Sequence, residues 1–250
     1  MTPFNLYREP TLLDTVKHRH LKLASAPDHS MTDGMHSCFI AATEIAHAAR
    51  EFAIAFVRDG QGADGKPRVR PIALLGLTAG ENLYLDGTAW GAGYVPAYIR
   101  RYPFWAAQFE GMTEPALLFD AWWHGFSETN GDPLYGVDGQ PSPRLVQAIQ
   151  FVESFEVEAQ RTDTFCEVLV DLDVLREMSA TVTLQDGTKF ALDGLFAVDE
   201  ARLGALDDET VLKLHRNGAL GLIHAHRLSL LNLQTLVDRK AKRMQPAAAR

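Results

Sequence analysis

Cysteine is nearly absent from this 250-residue chain. Only Cys38 and Cys166 occur, too few for a disulfide-stapled secreted scaffold. They read as two buried thiols in a reducing compartment. Long apolar runs are missing as well. No stretch of about 18 apolar residues is present, which excludes a membrane-spanning helix. The longest runs, such as Ala116-Leu117-Leu118-Phe119, suit buried strands. The opening segment, Met1-Thr2-Pro3-Phe4-Asn5-Leu6-Tyr7, has no basic region followed by an apolar one. No secretory signal is therefore expected, and a cytoplasmic location is the default. Internal repeats and low-complexity tracts are absent too.

Positive charge is scarce: 24 Lys+Arg stand against 32 Asp+Glu, a net charge of −8. It is also unevenly placed. Residues 238–250 hold Arg239, Lys240, Lys242, Arg243 and Arg250 against the single Asp238. The acidic remainder repels phosphate backbones, so nucleic-acid binding is not expected. The basic end reads as a frayed helix terminus with a favourable dipole placement, and residues 240–250 as a flexible tail.

What is there is ordinary globular material, 46% apolar and 22% charged. A chain of this length buries roughly 70–75% of its unfolded surface, so a core needs no metal or disulfide. The pattern predicts an α+β protein: a strand-rich N-terminal half packed with a helical C-terminal half containing one β-hairpin. One domain over 1–250 is expected, with a sub-boundary at the Gly/Pro-rich loop 129–143. Residues 1–35 read as an extended arm with a short strand or two. Strands are expected at Cys38–Thr43, Ala53–Val57, Pro71–Leu77 paired with Leu83–Leu85, and Pro115–Asp120. Short helices are expected at Glu44–Arg50 and Tyr94–Arg101, the latter with Pro96 in its first turn. Ser142 and Pro143 open a helix carrying Leu145, Ile149, Val152 and Phe155, and a second helical segment is expected from about Asp163. Asp207 caps another helix, which Asn217-Gly218 ends. The stretch from Ala219 to Arg239 predicts one long helix, apolar all round and therefore buried.

Parity fixes the hairpin. A two-residue loop of Asp186-Gly187 would oppose Leu184 to Lys189 and mix the faces. A three-residue loop, Gln185-Asp186-Gly187, sets Val182 opposite Phe190 and Ala180 opposite Leu192, with Gly187 left-handed.

Motifs of chemistry are mostly near misses. Gly60-x-Gly62-x-x-Gly65-Lys66 resembles nucleotide-binding loops, but Pro67 follows and the chain runs into a strand instead of the helix that phosphates require. Gly125-Phe126-Ser127-Glu128-Thr129 fails as a nucleophile elbow at its last position. The strong zinc spacings are missing, so no metal or cofactor is expected. His18-x-His20 lies in the polar arm and reads as solvated. His224-x-His226 lies on a helix, where the two rings point about 200° apart and cannot share one metal. Together with Asn232 they place polar groups on an apolar helix, and each must meet a partner or a ligand. The sharpest candidate is Arg100-Arg101-Tyr102 with Trp90, Tyr94, Tyr98 and Phe104. Two guanidiniums against an aromatic wall suit a carboxylate or phosphate; ion pairing with the acidic body is the structural alternative. Trp105, Trp122 and Trp123 read as core or interface.

Four stretches together resemble the SapC family, named after a bacterial surface-layer-associated protein. They are Pro71-Ile-Ala-Leu-Leu-Gly-Leu-Thr-Ala-Gly-Glu-Asn-Leu-Tyr-Leu-Asp86, Tyr94-Val-Pro-Ala-Tyr-Ile-Arg-Arg-Tyr-Pro-Phe104, Leu192-Asp-Gly-Leu-Phe-Ala-Val-Asp-Glu200 and Leu214-His-Arg-Asn-Gly-Ala-Leu-Gly-Leu-Ile-His-Ala-His-Arg-Leu-Ser-Leu230. Ala53 departs from the family's tendency to Pro before its apolar strand. The resemblance implies no established reaction. It implies a link to the cell surface, and relatives encoded near flavin-dependent halogenase-like proteins and outer-membrane receptors. That suggests an accessory role in nutrient uptake or small-molecule modification, with a halogenase-like enzyme as protein partner.

Three readings follow. An accessory or binding protein shows an exposed apolar patch or a large oligomer interface, homo-oligomers included. An enzyme of unrecognised type places Arg100, Arg101 and a histidine around one deep pocket and acts on an anionic molecule. A surface-layer component is exported and assembles into a lattice. For the site built on the arginines, Arg101→Ala is expected to leave folding intact and abolish binding.

Overall fold

The computed structural model of the protein describes residues 6–24, 28–62, 64–111, 115–183 and 187–245. In chain order the strands are β1 (Pro10–Leu12), β2 (Lys22–Leu23), β3 (Ser37–Phe39), β4 (Ile54–Gln61), β5 (Pro67–Leu74), β6 (Leu85–Asp86), β7 (Ala89–Trp90), β8 (Phe104–Ala107), β9 (Ala116–Asp120), β10 (Phe126–Ser127), β11 (Asp132–Pro133), β12 (Leu175–Thr183) and β13 (Lys189–Val198). The helices are α1 (Ile45–Ala48), α2 (Ala97–Arg100), α3 (Pro143–Asp171), α4 (Glu200–Gly204), α5 (Asp208–Arg216), α6 (Ala219–Ser229) and α7 (Leu233–Met244), with 3-10 turns at Ser30–Thr32, Ala42–Glu44 and Leu230–Asn232. The α+β architecture, with its helical C-terminal region, is as expected.

The central feature is a five-stranded antiparallel sheet in the order β12-β13-β4-β5-β3. Its middle is the most apolar part of the chain, Phe52 to Phe56 and Ala73 to Leu75, all buried. α3 packs across β5 and reaches β8, while α6 packs on β4, β13 and α1. Two smaller sheets carry the arm: β1-β9-β8 and β10-β2-β11. Leu6, Tyr7 and Leu23 of the arm, Leu134 and Tyr135 of the loop after β11, and the inner faces of α3 and α6 all belong to one core cluster.

The hairpin register is the one parity demanded: Val182 pairs with Phe190, Ala180 with Leu192, and Gly187 has φ +85°. Residues 184–186, with the expected loop positions Gln185 and Asp186, lie outside the described residues. The pair extends further than expected, from Leu175 opposite Val198, with a bulge between Met178 and Ala180.

Several elements differ from expectation. α3 is one continuous helix of 29 residues rather than two segments, because 156–162 holds no Gly or Pro to stop it. Ser142 and Pro143 start it as expected, the Ser142 side chain accepting from the Leu145 amide. Leu83–Leu85 does not form a strand with β5. One bond, Leu83 N–H to Leu75 O, links them, and β6 pairs with β7 instead. The expected helix 94–101 shrinks to the single turn of α2, with Pro96 as its N-cap residue. β8 arises unforeseen just after it.

The expected helix 219–239 is broken at Leu230–Asn232, and it is not buried all round: Leu228 is 67% and Leu231 76% exposed. The break has a tertiary cause. Ser229 donates to the His226 carbonyl and accepts the Ile54 N–H, while Asn232 donates to the Ala49 and Phe52 carbonyls. The ends of α1 and β4 thereby hold the chain where a straight helix would carry it away. The basic residues beyond it are docked rather than frayed. Arg239 and Arg243 donate to the carbonyls of Gly91, Asn82 and Leu85, and Lys240 pairs with Glu81. Residues 246–250 of the expected tail lie outside the described residues. Cys38 and Cys166 are both buried free thiols, and burial pushes both thiol pKa values up.

Candidate functional site

α2 begins after Pro96, which has no side chain to cap it. Glu44 supplies what Pro96 cannot. Its Oε1 accepts the Ala97 N–H at 2.7 Å and the Tyr94 hydroxyl, and its Oε2 accepts the Ala41 N–H at 3.1 Å. One buried carboxylate thus joins the 3-10 turn before α1 to the start of α2. Burial, and next the bond to Glu44, push the Tyr94 hydroxyl far above its usual pKa, so Tyr94 stays a donor.

From α2 the two arginines diverge, as neighbours about 100° apart on a helix must. Arg101 turns inward, its side chain 11% exposed. It meets Glu156 of α3 at 3.0 Å and lies over the rings of Phe155 (4.3 Å) and Tyr98 (4.7 Å). That is the structural pairing weighed for it. Arg101→Ala is therefore expected to cost about 2 kcal/mol, from the cation–π contacts and the buried stem. At this chain size that lowers Tm by about 4–8 °C, which differential scanning calorimetry reads; an unchanged Tm would return Arg101 to a binding role. Arg100 turns outward. Its Nε donates to the Val95 carbonyl at 2.9 Å, its guanidinium lies 5.0 Å from the Phe151 ring centre, and Glu44 stands 4.0 Å from Nη2.

The other candidates are held by the fold. Tyr102 donates its hydroxyl to Asp120 at 2.8 Å, and Trp90 donates its indole N–H to the Tyr94 carbonyl at 2.8 Å while packing on Tyr84. His224 is exposed and His226 is fully buried, opposite sides of α6 as the helical geometry required. His226 accepts the Val198 N–H at Nε2, 3.1 Å, and meets the edge of Phe56. Asn232 spends its amide on Ala49 and Phe52. His18 is not merely solvated: its Nδ1 accepts the Asp14 N–H at 3.0 Å and its ring meets Phe119. Among the described residues no three His, Cys, Asp or Glu side chains converge to hold a metal. No helix among them is long and apolar enough to cross a membrane.

The structure therefore brings Arg100, Arg101 and Tyr102 to one cleft of about 220 Å³ against the first turns of α3, and leaves His224, His226 and Asn232 out of its lining. Sequence reasoning missed Arg144, Gln147 and Phe151, which α3 contributes to that cleft. Their spacing of three and four is the readable signal, but it marks only a shared helix face.

The fold and the cleft define an α+β protein with a shallow arginine-bearing groove beside its longest helix. The family model SapC matches residues 13–236, and the chain belongs to the SapC family. No curated protein matches it, and no solved structure does.

Proposed function

We propose that this SapC-family chain is an accessory protein that acts by binding another polypeptide through the surface at the α6–α7 break. The carrying observation is Leu228 and Leu231, 67% and 76% exposed and three residues apart across that break. Single exposed leucines are common on monomers. Two on one turn, with exposed His224 and Gln234 at helical spacing on either side, form an apolar spot with a polar rim, the anatomy of a contact site. A cytoplasmic location, a link to the bacterial surface, to nutrient uptake or to small-molecule modification, and a flavin-dependent halogenase-like partner belong to the same reading. The enzyme reading finds less support. Arg101 is spent on Glu156, and no histidine is among the described residues lining the Arg100 cleft.

Native mass spectrometry on protein purified gently from its own host tests this. The expected result is a second polypeptide at fixed stoichiometry that is lost from the Leu228→Asp/Leu231→Asp variant while Tm is unchanged. A homo-oligomer dissolved by the same variant, or a stoichiometric small molecule or metal with no second chain, would overturn it.

A further inference from the structure

We propose that the cleft between α2 and the first turns of α3 binds a small oxyanion carrying an apolar group, with Arg100 and Arg144 as its charge partners. The inference does not rest on the docking surface at the α6–α7 break. It starts from unbalanced charge. The body is acidic overall, and another of its clefts, along the C-terminal half of α3, holds its cations in ion pairs: Lys66 pairs with Asp171, and Arg68 with Asp163. The α2–α3 cleft is different. Among the described residues its lining includes three arginines and no carboxylate.

Arg144 is exposed and forms no ion pair among the described residues. Arg100 has one carboxylate within 4.0 Å, Glu44, which already accepts from Tyr94, Ala97 and Ala41. Arg101 lines the cleft as well; its Nη1 is paired with Glu156, so it adds no free charge, but its Nε–H is buried with no acceptor. Neighbouring guanidiniums repel each other, and a bound anion relieves that repulsion. Each also offers paired N–H groups that match a carboxylate or phosphoryl oxygen pair.

Arg100 is pre-set for the task. The Val95 carbonyl holds its Nε and the Phe151 ring lies beneath it, so less side-chain freedom is lost on binding. The rest of the wall is apolar, from Phe104, Ala148 and Phe151, with the Gln147 amide beside them. At about 220 Å³ the cleft falls below the ~300–1,000 Å³ of sites for drug-sized ligands. A single ring or short chain bearing one anionic group is the class that fits.

The test is isothermal titration calorimetry at low salt with three probes: benzoate, phenyl phosphate and the neutral benzyl alcohol. Saturable one-to-one binding is expected for at least one anion and not for benzyl alcohol. Tighter benzoate binding assigns a carboxylate ligand, and tighter phenyl phosphate binding a phosphoryl one. Arg144→Ala and Arg100→Ala should each weaken that anion about tenfold, the worth of one charge-assisted hydrogen bond. Gln147→Glu, which adds a carboxylate without removing an arginine, should weaken it comparably. Arg144→Ala and Gln147→Glu should keep the wild-type Tm. Failure of both anions to bind, equal binding of benzyl alcohol, or anion binding indifferent to Arg144→Ala and Gln147→Glu overturns the proposal.

Discussion

Asp120→Ala is expected to destabilise the protein by about 3–5 kcal/mol, with Tm falling by about 10–15 °C. Asp120 ends β9 fully buried. It accepts the Glu9 N–H at 2.8 Å, the Arg8 N–H at 3.1 Å, the Trp122 N–H at 3.3 Å and the Tyr102 hydroxyl at 2.8 Å. Three separate pieces of chain, the arm, the end of α2 and the turn after β9, therefore meet at one carboxylate. Hydrogen bonds to a charged group are worth about 1.5–3 kcal/mol each, and each buried donor left unpaired costs about 1–3 kcal/mol, though neighbours do not add fully. That loss corresponds to roughly two full bonds of the four. Asp120→Asn should recover part of the loss, because Oδ1 still accepts, while its new NH2 faces donors. Urea unfolding followed by circular dichroism measures both variants. A loss below about 1 kcal/mol for Asp120→Ala would show that the arm is not tied down there.

The same carboxylate takes the hydroxyl of Tyr102, a residue that lines the α2–α3 cleft. Beside two arginines, a tyrosine hydroxyl reads as part of a binding site, and nothing local points to Asp120, 18 positions away. The Arg100–Arg101 pair has the same character. Which of the two faces out depends on where Glu156 and Phe155 of α3 arrive, and the sequence around Arg100 holds no trace of that. Features decided within a dozen residues were legible: the hairpin register by parity, the Ser142 and Asp207 caps by residue type, and the separation of His224 from His226 by helical angle. The family was legible because its match spreads over residues 13–236. The α6–α7 break was not. Leu230 and Leu231 are good helix formers, and the break exists because Ser229 and Asn232 bond to Ile54, Ala49 and Phe52 roughly 180 positions earlier. The candidate cleft was half legible for the same reason: α2 was readable, and its meeting with Arg144 was not.

Acidification from pH 6.5 to 5 is expected to remove about 2 kcal/mol of stability through His226 alone. The side chain is fully buried against Phe56 and accepts the Val198 N–H at Nε2. Burial lowers its pKa to about 4, Arg227 adds to the effect, and the Ile54 backbone offsets a part. An unfolded histidine titrates near 6.5. Between those values the unfolded chain binds a proton that the folded one refuses. Stability is therefore fully present above pH 6.5 and falls by about 1.4 kcal/mol per pH unit toward pH 4. Protonation would also turn Nε2 into a donor facing the Val198 N–H, breaking the bond that joins α6 to β13. His29 and His36 slope the same way, since burial lowers both of their pKa values. The wild type alone therefore cannot isolate His226. The difference between wild type and His226→Gln can, because glutamine keeps an acceptor for Val198 and does not titrate. Urea unfolding at pH 7, 6.5, 6 and 5 should show the variant less stable at pH 7 by about 1–2 kcal/mol, the cost of an imperfect fit against Phe56, with the gap closing as pH falls. Parallel curves would mean that His226 takes up its proton in the folded state and that the α6–β13 contact tolerates the charge.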